Sequence, residues 1–156
     1  MIKILFQFLI FMLLLNCQDG PKAALNEEFE RNNPKAKLPY SNLVGTYVLD
    51  DDSKKRFHIQ DTVKMTMQIK KDTSLVLNNY ITLNNWSVLN KSLHSKLYYI
   101  NDLQSIYLGL FNPNISSSGS LDIYYRKSDS ALALYAYIRP LKGQEHGDYL
   151  RYIKVD

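Results

Sequence analysis

Three histidines, a scatter of carboxylates, many serines and an excess of tyrosine are the side chains with chemistry to offer. His58, His94 and His146 fall in separate segments without the short spacing of a metal site. A zinc ion would need the fold to bring them together, so surface positions are expected. Asp50-Asp51-Asp52 runs into Ser53, yet a calcium loop alternates its oxygen ligands and turns on a glycine. Three consecutive acids cannot all point inward, and a solvated turn is expected there. The serines include no G-x-S-x-G elbow, and Ser116-Ser117-Ser118-Gly119-Ser120 is loop composition. Asp122, Asp129, Glu145 and Asp148 could supply the carboxyl pair of a glycoside hydrolase. Their placement at strand ends and turns reads as structural. No catalytic residue, metal site or cofactor is assigned, and the expectation is a protein that is not an enzyme.

Tyrosine is the informative excess, 12 of 156 residues. Tyr98-Tyr99, Tyr107, Tyr124-Tyr125, Tyr135, Tyr137, Tyr149 and Tyr152 lie on or beside expected strands. Tyrosine packs well on a pleated sheet and its hydroxyl tolerates the rim of a core, which is the plain structural reading. The functional reading is that the faces bearing Tyr124 with Arg126, and Tyr135 with Tyr137, line a cavity or an exposed patch. Such a surface could stack on sugar rings or hold an amphipathic ligand, with Arg126, Arg139 or Arg151 meeting an anion. Small Ala131 and Ala133 beside the tyrosines would leave room for a guest. Tyr124, Arg126, Tyr135 and Tyr137 are therefore the candidate ligand-binding residues.

The elements that must position them are short strands. Val63, Met65, Met67 and Ile69 alternate with Lys64, Thr66, Gln68 and Lys70, one face in and one face out. Lys71-Asp72-Thr73 turns the chain into Leu75 and Leu77, giving a hairpin. Ile106, Leu108 and Leu110 repeat the alternation, as do Leu121, Ile123 and Tyr125. From Ala131 to Ile138, Leu132, Leu134, Ala136 and Ile138 form one face, and Ala131, Ala133, Tyr135 and Tyr137 the other. Polar breaks at 50–55, 112–114, 116–120, 127–130 and 142–147 separate the segments. Eight or so such strands imply an antiparallel meander, and closure into a barrel would remove its exposed edges. An eight-stranded barrel either fills itself or holds one small ligand.

The start of the chain reads as an address. Met1-Ile2-Lys3 is short and positive, and Ile4–Leu15 is apolar apart from Gln7. That run suits the core of a signal peptide and is too short to span a bilayer. Leu14-Leu15-Asn16-Cys17 resembles the lipobox of bacterial lipoproteins, in which the cysteine is acylated and becomes the new N-terminus; Asn16 stands where that pattern prefers a small residue. The resemblance implies a signal peptide over 1–16 and lipidation at Cys17, with several acyl chains giving stable anchoring. Asp19 lies one position beyond the place where an acid favours inner-membrane retention, so the outer membrane is expected. Residues 17–42, with Pro21, Pro34 and Pro39, read as a flexible tether, and 43–156 as the domain. Cys17 is the single cysteine, so the domain has no disulfide. The formal charge of +4 mildly favours anionic surfaces such as phospholipid or lipopolysaccharide head groups and is no nucleic-acid signature.

Leu43-Val44-Gly45-Thr46-Tyr47-Val48-Leu49 resembles the first strand of lipocalin-like lipoprotein domains of Bacteroidetes-type bacteria, with Tyr47 where that family has Trp. Leu75–Leu83 followed by Trp86-Ser87-Val88-Leu89 resembles its strand-turn-strand with a buried Trp. Gly147–Lys154 resembles its closing strand. The resemblance implies a small all-β barrel and no established activity. Asp61-Thr62-Val63 and Asp129-Ser130-Ala131 also resemble the three-residue O-glycosylation sites of exported proteins of those bacteria. The expectation is a membrane-anchored, non-enzymatic lipocalin-like β-barrel binding a small amphipathic ligand. The alternative is a structural or interaction module docking a protein or glycan through an exposed Tyr-rich face.

Overall fold

The computed structural model describes residues 28–33, 36, 38–82, 86–102, 105–112 and 115–156, with backbone alone over 100–119. The expected leader, Cys17 and the tether up to residue 27 lie outside the described residues. Among these residues no helix is long and apolar enough to cross a membrane. The elements in chain order are β1 (Phe29–Arg31), α1 (Tyr40–Leu43), β2 (Gly45–Leu49), α2 (Asp51–Arg56), β3 (Thr66–Ile69) and β4 (Ser74–Ile81). They continue with β5 (Val88–Asp102), β6 (Ser105–Asn112), β7 (Ile115–Arg126), β8 (Leu132–Ile138) and β9 (Asp148–Lys154).

The fold is all-β. Among the described residues nine antiparallel strands pair in the order β1-β7-β6-β5-β4-β3-β2-β9-β8, and β8 also pairs with β7. From β3 to β9 each strand pairs with the next, as short polar turns require of a meander. At the β3–β4 turn Asp72 Oδ1 accepts from Ser74 N (3.0 Å) and Ser74 Oγ (2.6 Å), while Thr73 takes φ 64°, a local bond that fixes the hairpin. The first and last long segments meet through Val48 opposite Ile153 and Leu49 opposite Tyr152. On β7 the edge vacated beyond Leu121 by β6 is taken by β1, with Phe29 opposite Arg126 and Arg31 opposite Tyr124.

Alternation decides the core. Met65, Met67 and Ile69 are buried, as are Leu75, Leu121, Ile123, Leu132, Leu134 and Ile138. Tyr47 is fully buried and its hydroxyl donates to Leu43 O at 2.8 Å, so the aromatic expected at the head of the first long strand carries its own partner. Phe57 packs on Trp86 with ring centroids 4.9 Å apart.

Three expectations need correction, the first being that 116–120, expected as a loop, lies within the strand β7. The tether was expected to run to residue 42, but Phe29–Arg31 is a strand of the sheet and Leu38 is buried. An apolar residue among charges reads as spacer until a distant strand offers it a ladder. The acids at 50–52 are not a solvated turn. Asp50 caps α2, accepting from Ser53 N at 2.8 Å, with Asp51 and Asp52 in the first turn and Lys54, Lys55 and Arg56 in the last, the order a helix dipole favours.

Candidate functional site

The outward faces of β7, β8 and β9 carry the side chains singled out above. Tyr124 stands opposite Ala133, and Asp122 opposite Tyr135. Ala133 faces Ile153, Tyr135 faces Arg151, and Tyr137 faces Tyr149 on β9. Residues in register point to the same side of a sheet, so these side chains form one surface opposite the Leu and Ile core.

Aromatic contacts run across it. Tyr124 and Tyr135 have ring centroids 4.2 Å apart, Tyr135 and Tyr149 6.1 Å, and Tyr137 and Tyr149 5.3 Å. Phe29 of β1 meets Tyr135 edge-on at 6.0 Å. Tyr135 is 0% exposed and Tyr137 46% exposed, so the surface has a covered floor and an open margin. Burial pushes the Tyr124, Tyr135 and Tyr149 phenols above their ordinary value.

Arg151, 3% exposed, anchors the covered part. Its Nε ion-pairs with Asp50, its Nη2 lies 3.4 Å from Asp52 Oδ2, and its guanidinium stacks 4.2 Å over the Phe29 ring. Beyond Leu49 the β9 edge has lost β2 as a partner, and α2 replaces it. Asp50 N donates to Arg151 O (3.0 Å) and Arg151 N to Ser53 Oγ (2.9 Å). Arg56 continues the substitution: Nη2 donates to Tyr149 O (2.7 Å) and Nε to Asp148 Oδ2 (2.9 Å). Backbone groups that a strand would satisfy are met by these side chains.

Of the four sequence candidates, Tyr124 and Tyr135 touch directly and Tyr137 joins them through Tyr149. Arg126 does something else. It reaches Asp129 across the β7–β8 turn, with Nε 2.9 Å from Oδ1 and Nη2 2.5 Å from Oδ2. Arg126 and Asp129 border an open cleft of about 550 Å³ with Glu28, Lys127 and Ser128. A second open cleft, about 590 Å³, has Leu38, Tyr125 and Leu132 in its wall. Neither is lined by Tyr135 or Tyr137. Phe29, Tyr149 and Arg151 were not among the four. Tyr149 and Arg151 alternate on the closing strand, a usable signal, whereas Phe29 has no local pattern.

His58, His94 and His146 are all exposed. Among the described residues no three His, Cys, Asp or Glu side chains gather as a metal ion would require. Ser130, central to the Asp129-Ser130-Ala131 match, sits exposed in the turn at φ 57°.

Hydrogen bonds from Arg126 and from Ala131 N hold the Asp129 carboxyl down to about 2. A depressed carboxylate stabilises the fold above its unfolded value near 4, and that contribution is lost as the pH falls through the folded value. A carboxyl-carbon NMR titration should therefore place Asp129 near 2, and Arg126→Gln should return it toward the ordinary 3.8. A midpoint near 3.8 in the unsubstituted chain would mean the Arg126 contact is not held in solution.

Comparison with protein-family models, curated proteins and solved structures finds no match for this chain.

Proposed function

We propose that this chain is a lipoprotein anchored through Cys17 at the outer membrane, whose β-domain is not an enzyme and docks a protein partner through the outer aromatic surface of β7–β9. The sheet is read as an eight-stranded lipocalin-like barrel formed by β2–β9. The β2–β9 ladder supports this, since it pairs the first strand of that meander with the last.

The expected small amphipathic ligand is the less favoured occupant. Inward side chains that would line its chamber, among them Tyr47, Met67, Leu134 and Tyr152, pack on one another as a single buried cluster. The observation that carries docking is the aromatic row itself, ending in half-exposed Tyr137 beside Tyr149 and flanked by the Arg31–Asp122 pair, 3.1 Å apart. Tyrosine and arginine around a desolvated centre are the residues that dominate protein–protein affinity.

A photo-reactive phenylalanine at position 137 tests the reading in the host envelope. One discrete protein adduct is expected from position 137 and none from Gln68, on β3. The adduct should vanish with Tyr149→Ala and Arg31→Glu. Glycan adducts, or equal labelling from both positions, would overturn protein docking. Cys17→Ser should release the chain from the membrane fraction, and retention would overturn the anchor.

A further inference from the structure

Charge is unevenly distributed over this domain. Between Val63 and Tyr99 the chain carries Lys64, Lys70, Lys71, Lys91 and Lys96 against one acid, Asp72. All five lysines are exposed. The acids of α2, β7 and β9 hold arginines: Asp50 and Asp52 take Arg151, Asp148 takes Arg56, and Asp122 takes Arg31. None of the five lysines enters an ion pair of 4 Å or less with a described residue. Asp72 is already engaged by Ser74 N and Oγ.

The sheet places three of them, Lys64, Lys70 and Lys96, on one face. Met65, Met67 and Ile69 point into the core, so Lys64, Thr66, Gln68 and Lys70 point out. Across the ladders Thr66 continues into Asn78 and Ser92, Gln68 into Val76 and His94, and Ser74 stands opposite Lys96. Three adjacent strands therefore present a surface on the order of 10 Å by 20 Å, with lysines at both ends, uncharged side chains between them that are polar apart from the buried Val76, and no carboxylate. Tyr98, 55% exposed, stands two residues beyond Lys96.

We propose that the outer face of β3–β5 lies against the anionic phospholipid head groups of the membrane that holds the chain. This rests on the anchored reading above. Lysines are flexible point charges, suited to the diffuse negative potential of a lipid surface rather than to the fixed geometry of one carboxylate, and a tyrosine at the margin suits the head-group layer. The placement also fits the aromatic surface. In the pairing order β4 and β8 are separated by β3, β2 and β9 one way and by β5, β6 and β7 the other. A domain resting on β3–β5 turns Tyr137 away from the bilayer.

The test is lysine footprinting of the full chain, using a water-soluble acetylating reagent read by peptide mass spectrometry. Vesicles are phosphatidylcholine alone or phosphatidylcholine mixed with phosphatidylglycerol. Lys64, Lys70 and Lys96 should react several-fold more slowly on the anionic vesicles only, with Lys55, Lys127 and Lys142 unchanged and the protection lost at high salt. Lys64→Gln, Lys70→Gln and Lys96→Gln together should remove the remaining protection of Lys71. Uniform reactivity on a chain that still floats with both vesicles overturns the face and leaves the anchor standing. A chain that fails to float with neutral vesicles overturns the anchor instead. Equal protection by polyphosphate without vesicles would assign the face to a soluble polyanion and overturn the membrane reading.

Discussion

Replacing Arg151 with alanine should destabilise the domain by about 3–5 kcal/mol, because it strands a buried carboxylate rather than merely deleting a contact. Asp50 has one oxygen on Ser53 N as the cap of α2 and the other against Arg151. Without the guanidinium that second oxygen loses its ion-pair partner, and the α2 clasp on the β9 edge loosens with it. The cost belongs to the orphaned charge, so it should shrink when the charge goes too. Asp50→Asn with Arg151→Met should recover much of the loss, since well-packed neutral pairs often match buried ion pairs. Arg151→Lys should fall between, keeping the charge but not the planar fork that also covers Phe29. Denaturant unfolding of the unsubstituted chain, Asp50→Asn, Arg151→Met and their double measures the coupling as a double-mutant cycle, with Arg151→Ala and Arg151→Lys run beside it. An Arg151→Ala cost under about 1 kcal/mol, the range of an exposed surface pair, would mean that water reaches Asp50 and that α2 is held by its backbone bonds alone.

That network also marks how far local reading reaches. Period-two alternation made Met65, Met67, Ile69, Leu121, Ile123 and Leu134 legible as core, because each strand declares its buried face within five or six residues. The same rule placed Tyr124, Tyr135 and Tyr137 on one face. It could not say that Tyr135 is covered, since its cover comes from Phe29, over a hundred residues earlier in a three-residue strand without a pattern of its own. Alternation reports one apolar face, and a strand buried on both faces around Ala133 and Tyr135 breaks its premise. The α2 segment is too short for an apolar period, yet its order of Asp cap, acids and then bases was present to be read. The Arg126–Asp129 pair was not legible, because Asp129 waits three residues on across a turn whose geometry decides whether they meet. The partner of Arg151 lies in Asp50, at the far end of the domain sequence, and no spacing rule joins such residues.

Tyr135→Ala should cost about 3–5 kcal/mol, as for a large aromatic removed from a packed site, whereas Tyr137→Ala should stay within roughly 0.5–1 kcal/mol. Two neighbouring tyrosines on one face of one strand thus report different layers. Tyr135 is fully buried among Phe29, Tyr124 and Tyr149, while Tyr137 stands half in solvent against Tyr149 alone. Phe29→Ala decides why. If β1 covers Tyr135, Phe29→Ala should also cost about 3 kcal/mol or more, with a coupling to Tyr135 of about 0.5–1.5 kcal/mol for the ring pair. Two additive, near-neutral results would place β1 with the spacer. Tyr135 would then belong to the exposed row, and the docking surface would extend from Tyr137 to Tyr124. The predicted outcome confines docking to the margin around Tyr137, Tyr149 and Arg31, so that the stability of the Phe29–Tyr135 pair sets the boundary between what holds the domain together and what it can offer a partner.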